Sequence, residues 1–330
     1  MVFVSRRNKT TTSRFNIMTV GYSGTGKSGF IRTLLKALEL EKKTRRDSGH
    51  ATPNDEQPTQ QVSSVSTEIE ISNKERVLLT LIDTPGFSIE YKVDQQLRDI
   101  IQYIEHQFDL TLEQEAEVKR NPKTAIDTRI HCCLYFIDPE KKQLDDYDVR
   151  ILTRLSKRVN VIPVIGKADY LTKAQRSQLK SKIIHDIYST YKIPVYGMPS
   201  LQEQEQQQEW HAFLEQFDYE QEEVEAQTML DYLYNFPFTT MAYEQDVEND
   251  SDPSHHVVLG RDFGWATVNC LNKAHCDFSQ LKDSLVTTHR LFLTQDTIEH
   301  YYEQYRTEKL LTKRITLLDS QKLLSDISNL

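Results

Sequence analysis

Eight consecutive residues near the start of the chain fit the pattern G-x-x-x-x-G-K-[ST], and they are Gly21, Tyr22, Ser23, Gly24, Thr25, Gly26, Lys27 and Ser28. In such a P-loop the glycines let the backbone turn tightly, so that successive N–H groups point at one phosphate. Lys27 can reach the β- and γ-phosphates of a nucleotide, and the Ser28 hydroxyl can bind Mg²⁺. The alternative is an ordinary glycine turn between two elements, and the flanking sequence decides between them.

The residues on either side of the P-loop have the patterns of a strand and a helix. Residues 15–20 form an apolar run, and the apolar residues after the loop recur at helical spacing, at Phe30, Ile31, Leu34, Leu35 and Leu38. A strand–loop–helix arrangement places a bound phosphate at the N-terminus of the helix. We therefore predict that this loop binds a nucleotide.

A second motif, DTPG at 83–86, ends a predicted buried strand at 77–82. An acidic residue at the end of such a strand can hold Mg²⁺ through water, and a glycine three residues later can offer its N–H to a γ-phosphate. Alone, DTPG would predict an ordinary turn. Because it follows a P-loop and a buried strand, as in GTP switch proteins, we predict these roles for Asp83 and Gly86.

A third motif follows the apolar segment 159–165, where Gly166, Lys167, Ala168 and Asp169 fit x-K-x-D. A carboxylate at Asp169 can accept two hydrogen bonds from guanine, from N1–H and from the 2-amino group. Adenine would leave that carboxylate unpaired, at a cost of about 1–3 kcal/mol. An isolated KAD would more simply be a solvated loop. Here, however, the KxD motif comes third in the chain, after a P-loop and a DxxG motif. We therefore predict that it binds guanine.

The remaining sequence alternates between strand and helix patterns. Further strands are predicted at 67–71, 129–137, 193–196, 236–241 and 267–271, and further helices at 96–108, 110–119, 144–158, 172–191, 201–227, 278–305 and 310–330. This order predicts an α/β fold, with a mostly parallel central sheet between two layers of helices. Together with the three motifs it indicates a P-loop GTPase fold.

Composition limits the function classes that need to be considered. The 330 residues carry a formal net charge of −9, which argues against a general nucleic-acid binder. We find no apolar run long enough to span a membrane, and no signal-peptide apolar core in residues 1–12. Four cysteines are too few for a disulfide framework, so we expect reduced, buried thiols in a cytoplasmic protein. The spacing of Cys270, His275 and Cys276 matches no common zinc site.

The first residues of the chain are polar and basic, with Arg6, Arg7, Lys9 and Arg14. They form either a flexible, solvated arm or a basic patch that contacts acidic lipid. A second basic cluster, 42–46, ends the helix after the P-loop, where cations are favourable without any partner.

Outside the three motifs, the chain resembles the septin family. The resemblance rests on stretches that span roughly 14–310: KRNP at 119–122, DTRIHCCLYFIDP at 127–139, VNVIPVIGKADYLT at 159–172, Gly260, Arg261, Trp265, HCDF at 275–278, Thr288, His289, and YEQYRTEKL at 302–310. Septins are GTP-binding subunits that polymerise end to end, through one face across the nucleotide pocket and one made by the terminal helices. The resemblance thus implies other septin subunits as partners.

The resemblance also implies roles for individual residues. Gly21 to Gly29 would cradle the phosphates of GTP or GDP, Ser28 would bind Mg²⁺, and Gly86 would sense the γ-phosphate. Lys167, Ala168 and Asp169 would hold guanine. Arg261 would pack beside the base, Ala242 would lie near it where the family usually has glycine, and Trp265 would lie in the nucleotide-side interface.

By the same resemblance, residues 1–13 would be the flexible basic arm and 14–308 the GTP-binding domain. Residues 243–308 would be its septin-specific C-terminal element, and 309–330 a helical tail. The implied setting is cytoskeletal, at a septin ring, a bud neck or the periphery of a prospore membrane.

Several departures from the family pattern concern hydrolysis. Phe87 is followed by Ser88-Ile89 instead of Gly-Asp, and Lys142 stands at a histidine position that would face the neighbour's nucleotide. The switch threonine cannot be placed firmly, with Thr59 the nearest candidate. We therefore expect a divergent septin, used in a special programme such as sporulation, that hydrolyses GTP slowly or not at all. The alternatives are a monomeric GTPase that cycles as a switch and, disfavoured by Asp169, an ATP-using kinase.

Overall fold

The computed structural model describes residues 11–43, 61–72, 75–88, 90–116, 126–199, 210–215, 217, 223–244 and 259–328. A six-stranded sheet has the order β2-β3-β1-β4-β5-β6, and only β2 runs antiparallel to its neighbour. Its strands are β1 (Thr11–Gly21), β2 (Ser63–Ser72), β3 (Glu75–Asp83), β4 (Cys132–Ile137), β5 (Val161–Ile165) and β6 (Phe238–Thr239). A separate hairpin joins β7 (Gly260–Asp262) to β8 (Thr267–Asn269). The predicted α/β fold with a mostly parallel central sheet is confirmed.

The central strands are buried on both faces. Every residue of β4 and β5 is buried, as are Phe15, Ile17, Met18 and Val20 of β1. A sheet of this kind needs helices on both sides, which explains why its strands are nearly continuous apolar runs. The carboxyl ends of β1, β3 and β5 lie at one edge, so the three motifs that follow these strands meet there.

The helices are α1 (Lys27–Lys43), α2 (Glu90–Ala116), α3 (Asp146–Leu155), α4 (Lys173–His185), α5 (Trp210–Leu214), α6 (Val224–Asn235), α7 (Phe278–Asp283), α8 (Arg290–Asp296) and α9 (Glu303–Ser328). π-helical turns at 186–190, 284–288 and 297–302 extend α4, α7 and α8. Near the last turn Tyr302 and Tyr305 pack on Phe108 of α2, with ring centroids 5.8 and 5.3 Å away. The C-terminal helices therefore belong to the same core as the sheet.

Several predicted boundaries differ from the structure. β1 begins at Thr11, because its pairing with β3 runs from Thr11↔Glu75 to Thr19↔Asp83, so residues 11–13 belong to the strand and not to the arm. Residues 90–116 form one helix where two were predicted. The predicted strand at 193–196 was wrong, since its bond from Tyr196 N to Val161 O does not extend into a ladder. α9 begins at Glu303 and continues without a break past residue 308.

The cysteines are free and buried, as expected. Cys270 Sγ donates to the carbonyl of Met241, Cys276 Sγ to that of Cys270, and His275 Nδ1 accepts from Asn269 N. Within the described ranges, no three His, Cys, Asp or Glu side chains are grouped so that they could hold a metal ion. Nor is any helix in that part of the chain long and apolar enough to cross a membrane.

Candidate functional site

The P-loop joins β1 to α1 and adopts a conformation that only its glycines favour. Gly24 and Gly26 have φ of 78° and 99°, in the left-handed region where a Cβ atom would be strained. Thr25 Oγ1 donates to the carbonyl of Tyr22 at 2.8 Å, and Phe30 N donates to Gly26 O at 2.8 Å. The loop therefore passes directly into the first turn of α1, where free N–H groups favour an anion.

Lys27 is buried within this loop, with 5% of the residue exposed. Its Nζ donates to the carbonyl oxygens of Gly21 at 3.0 Å and Tyr22 at 2.7 Å. Burial lowers the pKa of Lys27 to about 8, and the nearby Asp83 carboxylate opposes that shift. Lys27 is therefore the titrating cation of the phosphate site.

The affinity for GDP is expected to fall about tenfold between pH 7 and pH 9. Phosphates bind the protonated lysine, and a pKa of about 8 leaves Lys27 mostly charged at pH 7 and mostly neutral at pH 9. Titration calorimetry across this range measures the effect. The Lys27→Arg variant stays charged throughout, so an equally steep pH dependence in that variant would contradict the assignment.

Oxygen atoms suited to Mg²⁺ meet beside the loop. Ser28 Oγ donates to Asp83 Oδ2 at 2.5 Å, and Thr19 Oγ1 donates to Asp83 Oδ1 at 3.1 Å. A hydroxyl and a carboxylate are the hard ligands that Mg²⁺ prefers, so the predicted donors fit the ion. Mg²⁺ would neutralise phosphate charge there, with Ser28 as a ligand and Asp83 acting through water. Thr19, which belongs to none of the three motifs, orients the Asp83 carboxylate.

Gly86 lies directly against the P-loop. Ser23 N donates to Phe87 O at 2.9 Å, and Phe87 N donates to Gly21 O at 3.1 Å. A Cβ atom at Gly86 would lie 2.5 Å from Ser23 Cα and 3.0 Å from Lys27 Nζ. The glycine at this position therefore permits the close approach that a contact with a γ-phosphate would need.

Two side chains near Gly86 and the P-loop have no counterpart in the motifs. Gln96 of α2 bonds to the backbone around Gly86, from Nε2 to Gly86 O at 3.5 Å and from Ser88 N to Oε1 at 3.4 Å. Lys141 Nζ lies 4.4 Å from the centre of the Tyr22 ring. No motif gives a signal for either contact: Gln96 lies eight residues beyond Ser88, within the next helix, and Lys141 and Tyr22 are far apart in the chain.

Lys141 is itself held by carboxylates at the start of α3. Its Nζ lies 2.6 Å from both Asp145 Oδ2 and Asp148 Oδ2, and Tyr135 Oη donates to Asp148 Oδ1 at 2.5 Å. Asp145 and Asp148 also form the capping box of α3. Tyr22, the second residue of the P-loop, therefore contacts through Lys141 the segment that also carries Lys142.

The loop after β5, residues 166–169, carries the predicted guanine-binding residues and packs against the P-loop. A Cβ atom at Gly166 would lie 2.0 Å from Thr25 O, so only glycine fits between the two loops. Lys167 has a φ of 48°, and Ala168 N donates to Thr240 O at 2.9 Å. Thr172 and Gln175 cap α4 reciprocally just beyond the loop. These contacts bring the predicted phosphate and guanine residues together in one site.

The remaining predicted base residues lie at the same site. Arg261 Nη1 donates to Asp169 Oδ2 at 2.6 Å. Ala242 is adjacent to α1, since a Cβ atom at Gly29 would lie 2.6 Å from the Ala242 Cβ. The glycine at position 29 therefore leaves room for the alanine at 242.

Comparison with known proteins identifies the family. The protein-family model described as Septin matches residues 11–319. The chain belongs to the septin family. It is 34% identical over 308 residues to Septin homolog spn3 of Schizosaccharomyces pombe, covering 92% of this chain and 75% of that one. It is 34% identical over 298 residues to human Septin-9, covering 90% of this septin but only 46% of the relative. For human Septin-11 the identity is 31% over 305 residues, with coverages of 92% and 63%.

Solved septin structures share the fold. A septin GTPase domain from Chlamydomonas reinhardtii superposes with a TM-score of 0.61 at 22% identity, covering 90% of this chain and 99% of that one. Cdc11 from Saccharomyces cerevisiae gives a TM-score of 0.52 at 26% identity, with the same coverages. The predicted P-loop GTPase fold is therefore confirmed. Family membership supports a septin GTP-binding subunit.

Two further positions of this septin were predicted from the resemblance. Trp265, at the tip of the β7–β8 hairpin, is 85% exposed, and its ring centroid lies 6.1 Å from that of Phe263. Thr59, the candidate switch threonine, lies outside the described residues, as does the KRNP stretch at 119–122. The roles given to these positions stay predictions.

Proposed function

We propose that this septin binds guanine nucleotide and assembles with other septin subunits into filaments or rings, with the nucleotide stabilising a subunit interface. The observation that carries the proposal is the exposed aromatic tip of the β7–β8 hairpin beside the base site. Arg261 of this hairpin bonds to Asp169, and Phe263 and Trp265 follow within four residues. The β7–β8 hairpin thus carries both a residue of the predicted base site and a candidate subunit interface.

The tip has the chemistry of a protein interface. Phe263 and Trp265 are 41% and 85% exposed, and their ring centroids lie 6.1 Å apart. Large aromatic side chains are favoured at the centres of interfaces, where they bury much area at little entropic cost. At the end opposite the tip, the hairpin is fixed by backbone bonds from Cys270 N to Leu259 O and from Glu244 N to Gly260 O. A hairpin that is anchored in this way supports an interface role for its tip.

We extend the proposal to slow or absent hydrolysis. Gln96, the glutamine nearest to Gly86 among the described residues, uses its amide on the backbone of Gly86 and Ser88. A cycling GTPase needs a water-positioning residue and a switch threonine. The sequence places no switch threonine firmly, since Thr59 is the nearest candidate but a gapless alignment puts Gln60 at that position. These observations favour a subunit that keeps its nucleotide bound, rather than a GTPase switch that hydrolyses GTP repeatedly.

The setting that we propose is the cell cortex. A septin ring, a bud neck or the periphery of a prospore membrane would suit a filament subunit, in cell division or in sporulation. Family membership supports this setting, and the divergence of the chain supports a special programme. The basic residues in 1–14 support a contact with acidic lipid.

The Trp265→Ser variant is expected to lose assembly across the nucleotide face. Light scattering or sedimentation measures the mass of the full chain alone and mixed with other septins, at low and high salt. Removing a large aromatic side chain from an interface centre weakens association by about 2 kcal/mol or more, roughly thirtyfold. Tyr234→Ser, which removes another exposed aromatic side chain from α6, is the matched control. A strict monomer in every mixture and at every salt concentration would instead favour the cycling GTPase.

A further inference from the structure

Several of the bonds within the P-loop converge on Tyr22. Its carbonyl oxygen accepts bonds from Thr25 Oγ1 at 2.8 Å and from Lys27 Nζ at 2.7 Å. Its ring lies beside that of Phe87, the residue after Gly86, with the two ring centroids 5.7 Å apart. A displacement of Tyr22 would therefore disturb both the P-loop and the segment that carries Gly86.

The two segments are also joined through their backbones. Tyr22 and Phe87 form an isolated parallel bridge, with bonds from Ser23 N to Phe87 O at 2.9 Å and from Phe87 N to Gly21 O at 3.1 Å. The Phe87 side chain is buried. The P-loop and the Gly86 segment thus form one unit, and the Tyr22 side chain links that unit to another part of the protein.

That other part is Lys141, in the loop after β4. Its Nζ lies 4.4 Å from the centre of the Tyr22 ring, a distance suited to a cation–π contact. The same Nζ bonds to Asp145 Oδ2 and Asp148 Oδ2, each at 2.6 Å, so the ammonium group has little freedom to move. Burial opposes the charged form of Lys141, but the bonds to the two carboxylates prevail and raise its pKa. Lys141 is therefore a fixed cation at neutral pH.

The anchor of Lys141 belongs to the core of the protein. Asp148 is buried, helps to cap α3, and accepts a bond from Tyr135 Oη of β4 at 2.5 Å. Tyr135 is paired in register with Val20 of β1, two residues before Tyr22. Contacts therefore run from the central sheet through Asp148 and Lys141 to the side chain at the second position of the P-loop.

We propose that Lys141 is a positioning residue for the phosphate site. It holds Tyr22 in place, keeps the P-loop and the Gly86 segment together around the phosphates, and so slows the release of bound nucleotide. Release requires these segments to loosen, and a contact that is lost on loosening raises the barrier to dissociation. The inference rests on the proposed guanine-nucleotide function, and it gives a physical reason why such a subunit keeps its nucleotide bound.

The rate of GDP release tests the proposal, with a fluorescent GDP analogue chased from the full-length protein by excess GDP. We expect Lys141→Met, which keeps an unbranched apolar side chain and loses the charge, to release the analogue about fivefold faster than wild type. Tyr22→Leu keeps apolar bulk beside Phe87 and leaves the carboxylate partners of Lys141 in place, and it should show a similar increase. Lys141→Arg should keep release slow, because arginine can pair with carboxylates and lie over an aromatic ring.

The double variant distinguishes one shared contact from two separate effects. If Lys141 acts through Tyr22, Lys141→Met and Tyr22→Leu together should speed release about fivefold, and not about twenty-five-fold. The matched control is the cation–π pair of Arg150 and Tyr147 on α3, in which the guanidinium carbon lies 5.7 Å from the ring centre and Arg150 bonds to Asp94 of α2. Arg150→Met should leave the release rate within about twofold of wild type.

The melting temperature without nucleotide separates positioning from a purely structural role. A lower melting temperature of Lys141→Met with an unchanged release rate would mean that Lys141 only stabilises the start of α3, and it would overturn the proposal. Additive effects in the double variant would overturn it as well. If Lys141→Met does not fold, Tyr22→Leu decides the matter, and release at the wild-type rate in that variant counts against the proposal.

The proposed function and this inference fail in different ways. If wild type does not bind GDP, the proposed function is wrong and the inference fails with it. If wild type binds GDP but no variant of Lys141 or Tyr22 changes the release rate, the inference alone is wrong.

Discussion

The Lys27→Ala variant is expected to bind GDP at least about a hundredfold more weakly than wild type. Lys27 Nζ lies next to Gly86 and donates to two carbonyls of the P-loop, at the centre of the predicted phosphate site. Charge-assisted hydrogen bonds contribute about 1.5–3 kcal/mol each, and Lys27 would make them to two phosphates. Calorimetry on nucleotide-free protein, or the GDP released after denaturation, measures the loss.

The matched control is Arg32→Ala, which removes an exposed cation from the same helix, α1. That variant should bind GDP as wild type does, within about twofold. Comparable losses in both variants would show that general positive charge, not Lys27 itself, holds the phosphates. Because the nucleotide is proposed to stabilise an interface, Lys27→Ala should also lose assembly with other septins.

The same pair of proteins tests the hydrolysis proposal. Wild type is expected to show little or no multiple-turnover release of phosphate from GTP, since the sequence places no switch threonine firmly and the amide of Gln96 is already bonded to the backbone of Gly86 and Ser88. Sustained turnover in wild type that Lys27→Ala abolishes would overturn this part of the proposal. The filament role would stand in that case, because it rests on the hairpin tip and not on the reaction rate.

The sequence was sufficient for the parts of the site that depend on local residues. The P-loop needs left-handed glycines at fixed positions, and Gly24 and Gly26 have that conformation. The strand ends that carry Asp83 and Asp169 were recognisable because buried parallel strands are apolar along their whole length. Since these strands run parallel to each other in one sheet, their motifs had to meet at one edge.

The sequence was not sufficient for contacts between distant elements. Arg261 and Asp169 are 92 positions apart, and no periodicity indicates that they form an ion pair. Lys141 and Tyr22 meet because the loop after β4 and the P-loop after β1 lie at the same edge of the sheet. The resemblance did place Arg261 near the base. It gave no sign that the arginine would bond to the very carboxylate that the base needs.

The errors in the predicted limits of the strands have a similar cause. Residues 11–13 are polar and would suit a loop by composition, but β3 offers them a backbone partner from Glu75 onward. The segment 193–196 is apolar and would suit a strand, but its backbone bond from Tyr196 N to Val161 O of β5 is not extended into a ladder. In both cases hydrogen-bonding partners decide the structure, and propensity acts only as a weak bias.

The Asp169→Asn variant is expected to lose at least about a hundredfold in GDP affinity and to bind xanthosine diphosphate instead. Asparagine keeps one acceptor and replaces the other with an N–H₂ donor. Guanine would then face that donor with its own 2-amino group, and two donors cannot pair. Xanthine carries a carbonyl at that position beside N1–H, so it matches the new donor and acceptor. Competition between GDP and xanthosine diphosphate measures the exchange.

Asp146→Asn, an exposed change in the first turn of α3, is the control and should leave the preference for GDP unchanged. Asp169→Asn also removes the anionic partner of Arg261, whose guanidinium is partly exposed and can be solvated. A variant that loses GDP without gaining xanthosine diphosphate, while keeping its fold, would mean that Asp169 does not contact the base edge. The carboxylate would then serve to position Arg261, and base selectivity would have to come from another part of the site.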